Sequence, residues 1–226
     1  MQPMKTRSQR CPGFSLLEIL ITLLIVSVGL LGLASLLSRM HIAELEAYQR
    51  TQALILLADI AERLNIHRDT RFCFAFTTNA TLGTPYIGAT GTGWSLPTGC
   101  ADGSAIQNSQ ADAAILDLND QLQGMAERKT GSTSGSGAMI GARACIRYDG
   151  SDLLTDSTGA SIAESGTFTI TVTWQGIAPT MAPPATSACA NGLYGSTEAL
   201  RRAVSLTLRF ANLTAAQLDQ EQPAWL

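Results

Sequence analysis

The sequence is poor in the residues that enzymes use most often for acid–base chemistry. It has only two histidines, His41 and His67, and neither lies beside a Ser-x-Gly elbow or a pair of carboxylates. Its glycine-rich runs follow no strand-to-helix phosphate-binding pattern, and no two cysteines have the Cys-x-x-Cys spacing of a thiolate metal site. We therefore expect no enzyme activity, no catalytic residue, no cofactor and no metal.

Charge is missing from a long stretch near the N-terminus, because no charged residue occurs from Ile19 to Leu37. The whole apolar run, Phe14 to Leu37, has 24 residues. That length gives about 36 Å of helix, which is enough to cross a bilayer core of about 30 Å. The residues before the run carry only positive charge, at Lys5, Arg7 and Arg10. A basic flank stays in the cytoplasm, so we expect the rest of the chain outside the inner membrane.

One carboxylate, Glu18, lies near the start of the apolar run, five residues after Gly13. A charged group in a membrane-length helix is costly and marks a functional site. The order Gly13-Phe14-Ser15-Leu16-Leu17-Glu18 resembles the prepilin signal of type IV pilins and of the type II secretion pseudopilins. The plain alternatives are an ordinary signal anchor and a secretory signal peptide, although the latter usually has a shorter apolar region.

The resemblance implies specific processing and assembly roles for three residues. Prepilin peptidase would cut between Gly13 and Phe14 and methylate the new amine of Phe14, so residues 1–13 would be a cleaved leader. Glu18 would then pair with the Phe14 ammonium of a neighbouring subunit, which offsets the cost of burying a carboxylate. On this interpretation Glu18 is a docking residue that sets the register of packed helices.

Within the apolar run, the string from Ser27 to Ala34 resembles one subfamily of minor pilins, and this likeness extends as far as Asn65. Its Gly29 and Gly32 favour local unwinding or close helix packing, although glycine is also common in membrane helices. The resemblance implies a subunit that primes the type IV pilus or lies in its tip complex. Such a subunit supports fibre biogenesis, adhesion or twitching motility.

The partners implied are other minor and major pilins, prepilin peptidase, the inner-membrane assembly machinery and a tip adhesin. The protein would lie first in the bacterial inner membrane, with its head in the periplasm, and then in the fibre at the cell surface. Three alternatives stay open: a type II secretion minor pseudopilin, a major pilin, and a periplasmic ligand-binding domain or enzyme on a plain anchor.

Five cysteines are present, and Cys11 would leave with the leader. The remaining four lie in the part expected in the oxidising periplasm, where an even count predicts two disulfides. Four cysteines allow three pairings. We favour Cys73 with Cys100 and Cys145 with Cys189, because each pair closes a loop rich in glycine or proline.

The pattern of apolar residues predicts an α+β protein with the pilin fold. One helix should continue to about Asn65 and bury one face of its second half: Ala53, Leu56, Leu57, Ile60 and Leu64. Three segments alternate with period two, at 140–148, 167–174 and 204–210, and predict a sheet with one apolar face that this helix covers. A second helix is expected over Asp112–Lys129, after a short strand or loop at Phe72–Phe76.

These patterns divide the chain into four expected parts. They are the leader at 1–13, a transmembrane or filament-core helix at 14–38, an amphipathic half of the same helix at 39–66, and a periplasmic α/β head with disulfide-bounded loops at 67–226.

The acidic balance of the chain argues against nucleic acid as a partner. Its net charge is −3, and removal of the three leader cations would make it near −6. DNA-binding surfaces are basic. The aspartates of Asp149-Gly150-Ser151-Asp152 and Asp156 are compatible with a calcium loop or with a turn between strands, and they lack the length and glutamate of an EF-hand.

Overall fold

The structure is a computed structural model that describes residues 13–88, 99–124 and 139–210. It has the predicted α+β class, with one long helix and an antiparallel sheet. Its contacts divide into two compact units, Met1–Glu44 and Leu45–Leu226. The leader before Gly13, Trp94, the Thr130–Gly137 connector and the end of the predicted second helix lie outside the described residues.

The first helix, α1, runs from Leu16 to Ile66 and ends one residue beyond the predicted Asn65. The part that belongs to the first unit buries none of its side chains, whereas the second unit buries one face of α1. The buried residues of that face are Gln49, Ala53, Leu57, Ile60 and Leu64. The amphipathic pattern in the second half of α1 is thereby confirmed, with Leu56 half-buried beside it.

Four strands form one antiparallel sheet in the order β1-β2-β3-β4. They are β1 (Ile87–Gly88), β2 (Ile140–Asp149), β3 (Thr167–Gln175) and β4 (Arg201–Arg209). The period-two pattern predicted the three long strands, and their apolar side chains meet across one face. Ile170 of β3, for example, lies opposite Ile146 of β2 and Leu206 of β4.

The core lies between this face and two helices. The second helix, α2, spans Ala105–Leu122. One apolar cluster joins the buried face of α1, the buried face of α2 and the inward side chains of the sheet, including Ile146, Ile170 and Val172, all of which have no exposed surface. A 3-10 helix, Arg68–Phe74, links α1 to this core through Phe74.

The predicted bounds and face of the second helix were wrong. It begins at Ala105 instead of Asp112, because the Ser104 hydroxyl accepts the Gln107 N–H in a capping box. The predicted face through Ala113 and Leu116 is exposed. The helix instead buries Ala111, Ile115, Leu118 and Leu122.

Three smaller expectations also changed. The predicted strand or loop at Phe72–Phe76 is largely the 3-10 helix. The last strand begins at Arg201 and not at Val204. Ile140 does not share the buried face of β2, because the register with β3 shifts between Ile140 and Arg143 and turns its side chain to solvent.

Candidate functional site

The candidate processing site lies directly before α1. Gly13, Phe14 and Ser15 are outside the helix, and all three are exposed. Phe14 has 82% of its surface accessible, and a Cβ placed on Gly13 would meet nothing within 4 Å. The peptide bond between Gly13 and Phe14 therefore lies in an exposed segment outside the helix.

Glu18 lies in the first turn of α1, where the unpaired N–H groups of the helix start favour a negative charge. The backbone of this turn is closed by a 3.0 Å bond from the Glu18 N–H to the Ser15 carbonyl. Glu18 is the only acidic residue before Glu44 in the sequence. Among the described residues its carboxylate has no ion-pair partner. The side chain is exposed and available to a partner outside the chain.

Two hydroxyl groups in the apolar half of α1 bond to the backbone of their own helix. The Thr22 hydroxyl donates to the Ile19 carbonyl at 2.9 Å, and the Ser27 hydroxyl donates to the Leu23 carbonyl at 2.6 Å. Such internal bonds are what a lipid environment requires. By length and composition α1 can cross a membrane, with a mean hydropathy of 2.6 in a window that has no buried residue.

Gly29 and Gly32 offer places where another helix can approach this half of α1. A Cβ built on either glycine would meet nothing within 4 Å, so neither is required by a contact inside the described chain. Small residues on a membrane helix permit close backbone packing. A packing role for these two glycines therefore involves another molecule.

In the head, a disulfide joins Cys73 of the 3-10 helix to Cys100, with 5.2 Å between the Cα atoms. The segment after Cys100 leads into the cap of α2. Asp112 of α2 accepts the N–H groups of both Gly99 and Cys100, at 3.0 and 3.1 Å. The disulfide and the Asp112 carboxylate together hold the segment around Cys100 against the first half of α2.

A second disulfide joins Cys145 of β2 to Cys189 and fixes the β3–β4 connection to the outer face of the sheet. Arg201 acts at the same place, although it is only 2% exposed. Its guanidinium donates to the Ser187 carbonyl at 2.8 Å and to the Cys189 carbonyl at 3.0 Å, and it also pairs with Glu198. A buried cation with this many acceptors stabilises one loop conformation.

A third contact on the outer face is an arginine held between two aromatic rings. The Arg143 guanidinium lies 4.9 Å from the ring centre of Tyr86 and 4.8 Å from that of Tyr194. The Tyr194 hydroxyl also contacts Thr173 at 3.0 Å and donates to the Gly141 carbonyl at 2.8 Å. Burial raises the pKa of Tyr194, against the opposing effect of Arg143, so its hydroxyl stays protonated and can donate.

An ion network joins α1 to α2. Arg63 of α1 donates to Asp59 at 2.7 Å, to Asp117 of α2 at 2.6 Å and to the Ala114 carbonyl at 3.2 Å. Burial alone lowers the pKa of Arg63, but the two carboxylates raise it overall. The four-residue spacing of Asp59 and Arg63 on one helix is visible in the sequence, whereas the contact of Arg63 with α2 is not.

The described histidines do not form a catalytic arrangement. His41 lies 3.4 Å from Glu44 on the exposed surface of α1. His67 lies against the Phe74 ring, with 5.4 Å between ring centres. Burial, with a smaller effect of Arg63, lowers its pKa. Nothing in these two environments aligns an imidazole with a nucleophile.

The aspartates of the β2–β3 connection form turns. Asp149 Oδ1 accepts the Ser151 N–H at 3.0 Å and the Ser151 hydroxyl at 2.6 Å. Asp156 Oδ1 accepts the N–H groups of Thr158 and Ala160, at 2.8 and 2.9 Å. These bonds lower the pKa of both carboxyls. Their geometry is that of Asx turns, the non-metal alternative considered for this segment.

Comparison with known proteins bears on the N-terminal segment alone. Residues 8–34 match the family described as Prokaryotic N-terminal methylation motif. The match supports a type IV pilin-like protein. No curated protein and no solved structure matches the chain. The matched segment contains the Gly13–Phe14 bond, Glu18 and both helix glycines, and it implies processing by prepilin peptidase and assembly with other pilins.

Proposed function

We propose that this chain is a minor pilin of the type IV pilus, of the kind known as the pilus modification protein PilV. Prepilin peptidase removes residues 1–13 and methylates Phe14, after which the assembly machinery extracts the subunit from the inner membrane. The subunit joins other minor pilins in a complex that primes the fibre and lies at its tip, where a tip adhesin is a further partner. The apolar string from Ser27 to Ala34 supports the choice of this subfamily.

The observation that carries the proposal is the unpaired Glu18 at the start of an exposed apolar helix, directly after an open Gly13–Phe14 bond. A carboxylate without a partner in an apolar setting is costly, and removing that cost requires a cation from elsewhere. The methylated Phe14 ammonium of a neighbouring subunit supplies such a cation. This ion pair then favours one axial register of the packed helices, and setting that register is the role we assign to Glu18.

The first test is the intact mass of the full chain co-expressed with a prepilin peptidase, measured with and without reductant. We expect loss of residues 1–13, the addition of one methyl group, and a gain of four hydrogen atoms when the reductant converts the two disulfides to thiols. An uncleaved chain would remove the pilus assignment and leave a membrane-anchored periplasmic domain.

The second test separates processing from assembly. Glu18→Ala should be cleaved normally and yet enter purified fibres poorly, whereas Glu44→Ala, also an exposed acid of α1, should enter them like the wild type. Equal incorporation of the two variants would defeat the role of Glu18.

A type II secretion minor pseudopilin shares the same signal and helix. A deletion strain distinguishes the two: loss of twitching with intact secretion supports the pilus, and the reverse supports the secretion system.

A further inference from the structure

The two edges of the sheet are finished in different ways. Within the described residues the β1 edge is two residues long, and side chains of α2 and of its C-cap residue close it. Asn119 Oδ1 accepts the Gly88 N–H at 3.2 Å, and Gln123 Nε2 donates to the Gly88 carbonyl at 3.1 Å. A short edge whose backbone groups are already bonded cannot take another strand.

The β4 edge is long and regular. Its nine residues pair with β3 without a register shift, from Arg201 opposite Gln175 to Arg209 opposite Thr167. The 2.8 Å bond from the Gly176 N–H to the Leu200 carbonyl sets the phase of the ladder, so the even-numbered residues of β4 bond to β3.

The odd-numbered residues therefore direct their N–H and C=O groups away from the sheet. For Ala203, Ser205 and Thr207, the structure records no hydrogen bond to these groups from residues 13–88, 99–124 or 139–210. No proline or bulge interrupts β4, and these are the usual devices that protect an edge.

Among the described residues, the β4 side of the core is only partly covered. Ile146 and Ile170, on β2 and β3, are fully buried, whereas Leu206 in the same row on β4 is only half-buried. A groove of about 320 Å³ runs between β4 and α1. Its lining includes Glu46, Ala47, Arg50, Trp174, Arg202 and Val204. One helical turn beyond Arg50, Leu54 leaves 50% of its surface exposed on that side of α1.

Charge decides what kind of strand fits this edge. β4 contains three arginines, Arg201, Arg202 and Arg209, and no acidic residue. All three are ion-paired within the chain, Arg201 with Glu198, Arg202 with Glu46 and Arg209 with Asp152, so their charges are already balanced. Arg50, in the groove, is exposed and has no ion pair among the described residues. The surface therefore favours a strand that brings a carboxylate to Arg50, and a copy of β4, which has no acidic residue, brings none.

We propose that the β4 edge is a docking surface for an extended, acidic segment of a different protein chain, which adds a fifth strand to the sheet. The backbone of Ala203, Ser205 and Thr207 supplies the ladder bonds, as in other strand-addition complexes. Alternate apolar side chains of the partner enter the groove beside Trp174, and a carboxylate near the end of its strand pairs with Arg50. The inference depends only on residues between Glu46 and Arg209, so failure of leader cleavage would leave it standing.

The test uses the disulfide-bonded full chain in detergent micelles and a synthetic probe. The probe is a nine-residue peptide of alternating valine and threonine with aspartate at both ends, and its control has lysine in place of aspartate. Residue-resolved amide exchange should show Ser205 and Thr207 unprotected in the free chain. The acidic peptide should slow their exchange by about tenfold or more, and the lysine peptide should act far more weakly.

Two pairs of variants connect this protection to the edge. Ser205→Pro removes one outward N–H and adds a ring at the edge, without removing a bond to β3, so it should abolish protection. Ser205→Ala keeps that N–H, loses the same contact of the Ser205 hydroxyl with Thr171, and should bind like the wild type. Arg50→Glu leaves the backbone intact and should transfer the preference to the lysine peptide, whereas Arg147→Glu, on the outer face of β2, should not.

Three results would overturn the proposal. One is the absence of protection by either peptide, and another is equal protection of Ser205→Pro and Ser205→Ala. The third is protection of the edge amides in the free chain. Loss of that protection on dilution would identify a second copy as the occupant, and loss on deletion of residues 211–226 would identify the chain's own end.

Discussion

Glu46 of α1 accepts a hydrogen bond from Arg202 of β4 at 2.9 Å, across 156 positions of sequence. The same carboxylate oxygen accepts the Ala178 N–H at 3.3 Å, and Arg202 Nη2 in turn donates to the Ala178 carbonyl. Gly176 leaves room for this arrangement, because a Cβ there would lie 2.5 Å from the Arg202 guanidinium carbon. The pair joins the helix to the sheet and to the β3–β4 connection at one point.

Replacing Glu46 with alanine should lower the free energy of unfolding by about 1–3 kcal/mol, because Arg202 and the Ala178 N–H lose an acceptor where water reaches them poorly. Chemical denaturation of the full chain in micelles would measure the change. Glu44→Ala is the matched control, since Glu44 is exposed and contacts only His41 among the ion pairs described. A control as destabilised as the variant would show that helix charge, and not this contact, is responsible.

Each disulfide should contribute about 3–4 kcal/mol to stability, because closing loops of 27 and 44 residues limits the unfolded chain. The double variants Cys73→Ser/Cys100→Ser and Cys145→Ser/Cys189→Ser remove one bond each without leaving a free thiol. Guanidinium unfolding of each variant would give the loss. Unchanged midpoints under non-reducing conditions would contradict the expectation.

Arg143 should be far less tolerant of substitution than Arg147, although both lie on the outer side of β2. Arg143→Met keeps most of the volume but loses two cation–π contacts, each worth about 0.5–2 kcal/mol. Arg147 is 65% exposed in its side chain, and its nearest carboxylate oxygen, on Asp149, is 3.5 Å away. Arg147→Met should therefore change stability by less than about 0.5 kcal/mol. Thermal unfolding monitored by tyrosine absorbance compares the two, and equal effects would remove the role assigned to Tyr86 and Tyr194.

His67 should make the protein less stable as the pH falls through its ordinary range. Burial and Arg63 lower the pKa of the folded His67 below its ordinary value of about 6.5, so the unfolded chain binds the proton more readily than the folded one. The wild type is unaffected well above pH 6.5 and loses stability progressively below it, until the folded histidine also protonates.

His67→Gln isolates this contribution. Its stability relative to the wild type should rise as the pH is lowered from 7.5 to 5. Denaturation midpoints of both proteins at several pH values would measure this change. A constant difference between the two proteins across that interval would show that His67 does not titrate differently in the folded state.

The fold could be predicted from sequence where apolar residues repeat with one regular period, because such a segment packs one face against the core. Phe168, Ile170 and Val172 alternate with threonines, and they are buried in the sheet as that alternation predicts. α2 was harder to place, since residues 105–111 have weak apolar periodicity. Its start could have been found from Ser104 and Gln107, which have the spacing of a capping box.

Contacts between distant side chains left no such local pattern. Nothing near Arg201 in the sequence indicates that it is buried under the 187–189 loop, and nothing near Arg143 predicts two aromatic partners from different loops. The candidate processing site is the opposite case, because its signal consists of adjacent residues. Gly13, Phe14 and Glu18 could therefore be singled out before the structure was known.

The β3–β4 connection is anchored at two points. Glu46 holds it at Ala178, and Arg201 and Cys145 hold it at residues 187–189. Between these two points, Met181, Ala182, Pro184 and Ala185 are exposed, and Met181 is 93% exposed. An insertion there changes a loop whose ends are already anchored, so its cost grows only slowly with added length. This segment is accordingly the natural place to introduce an epitope tag or a labelling cysteine for locating the subunit by microscopy.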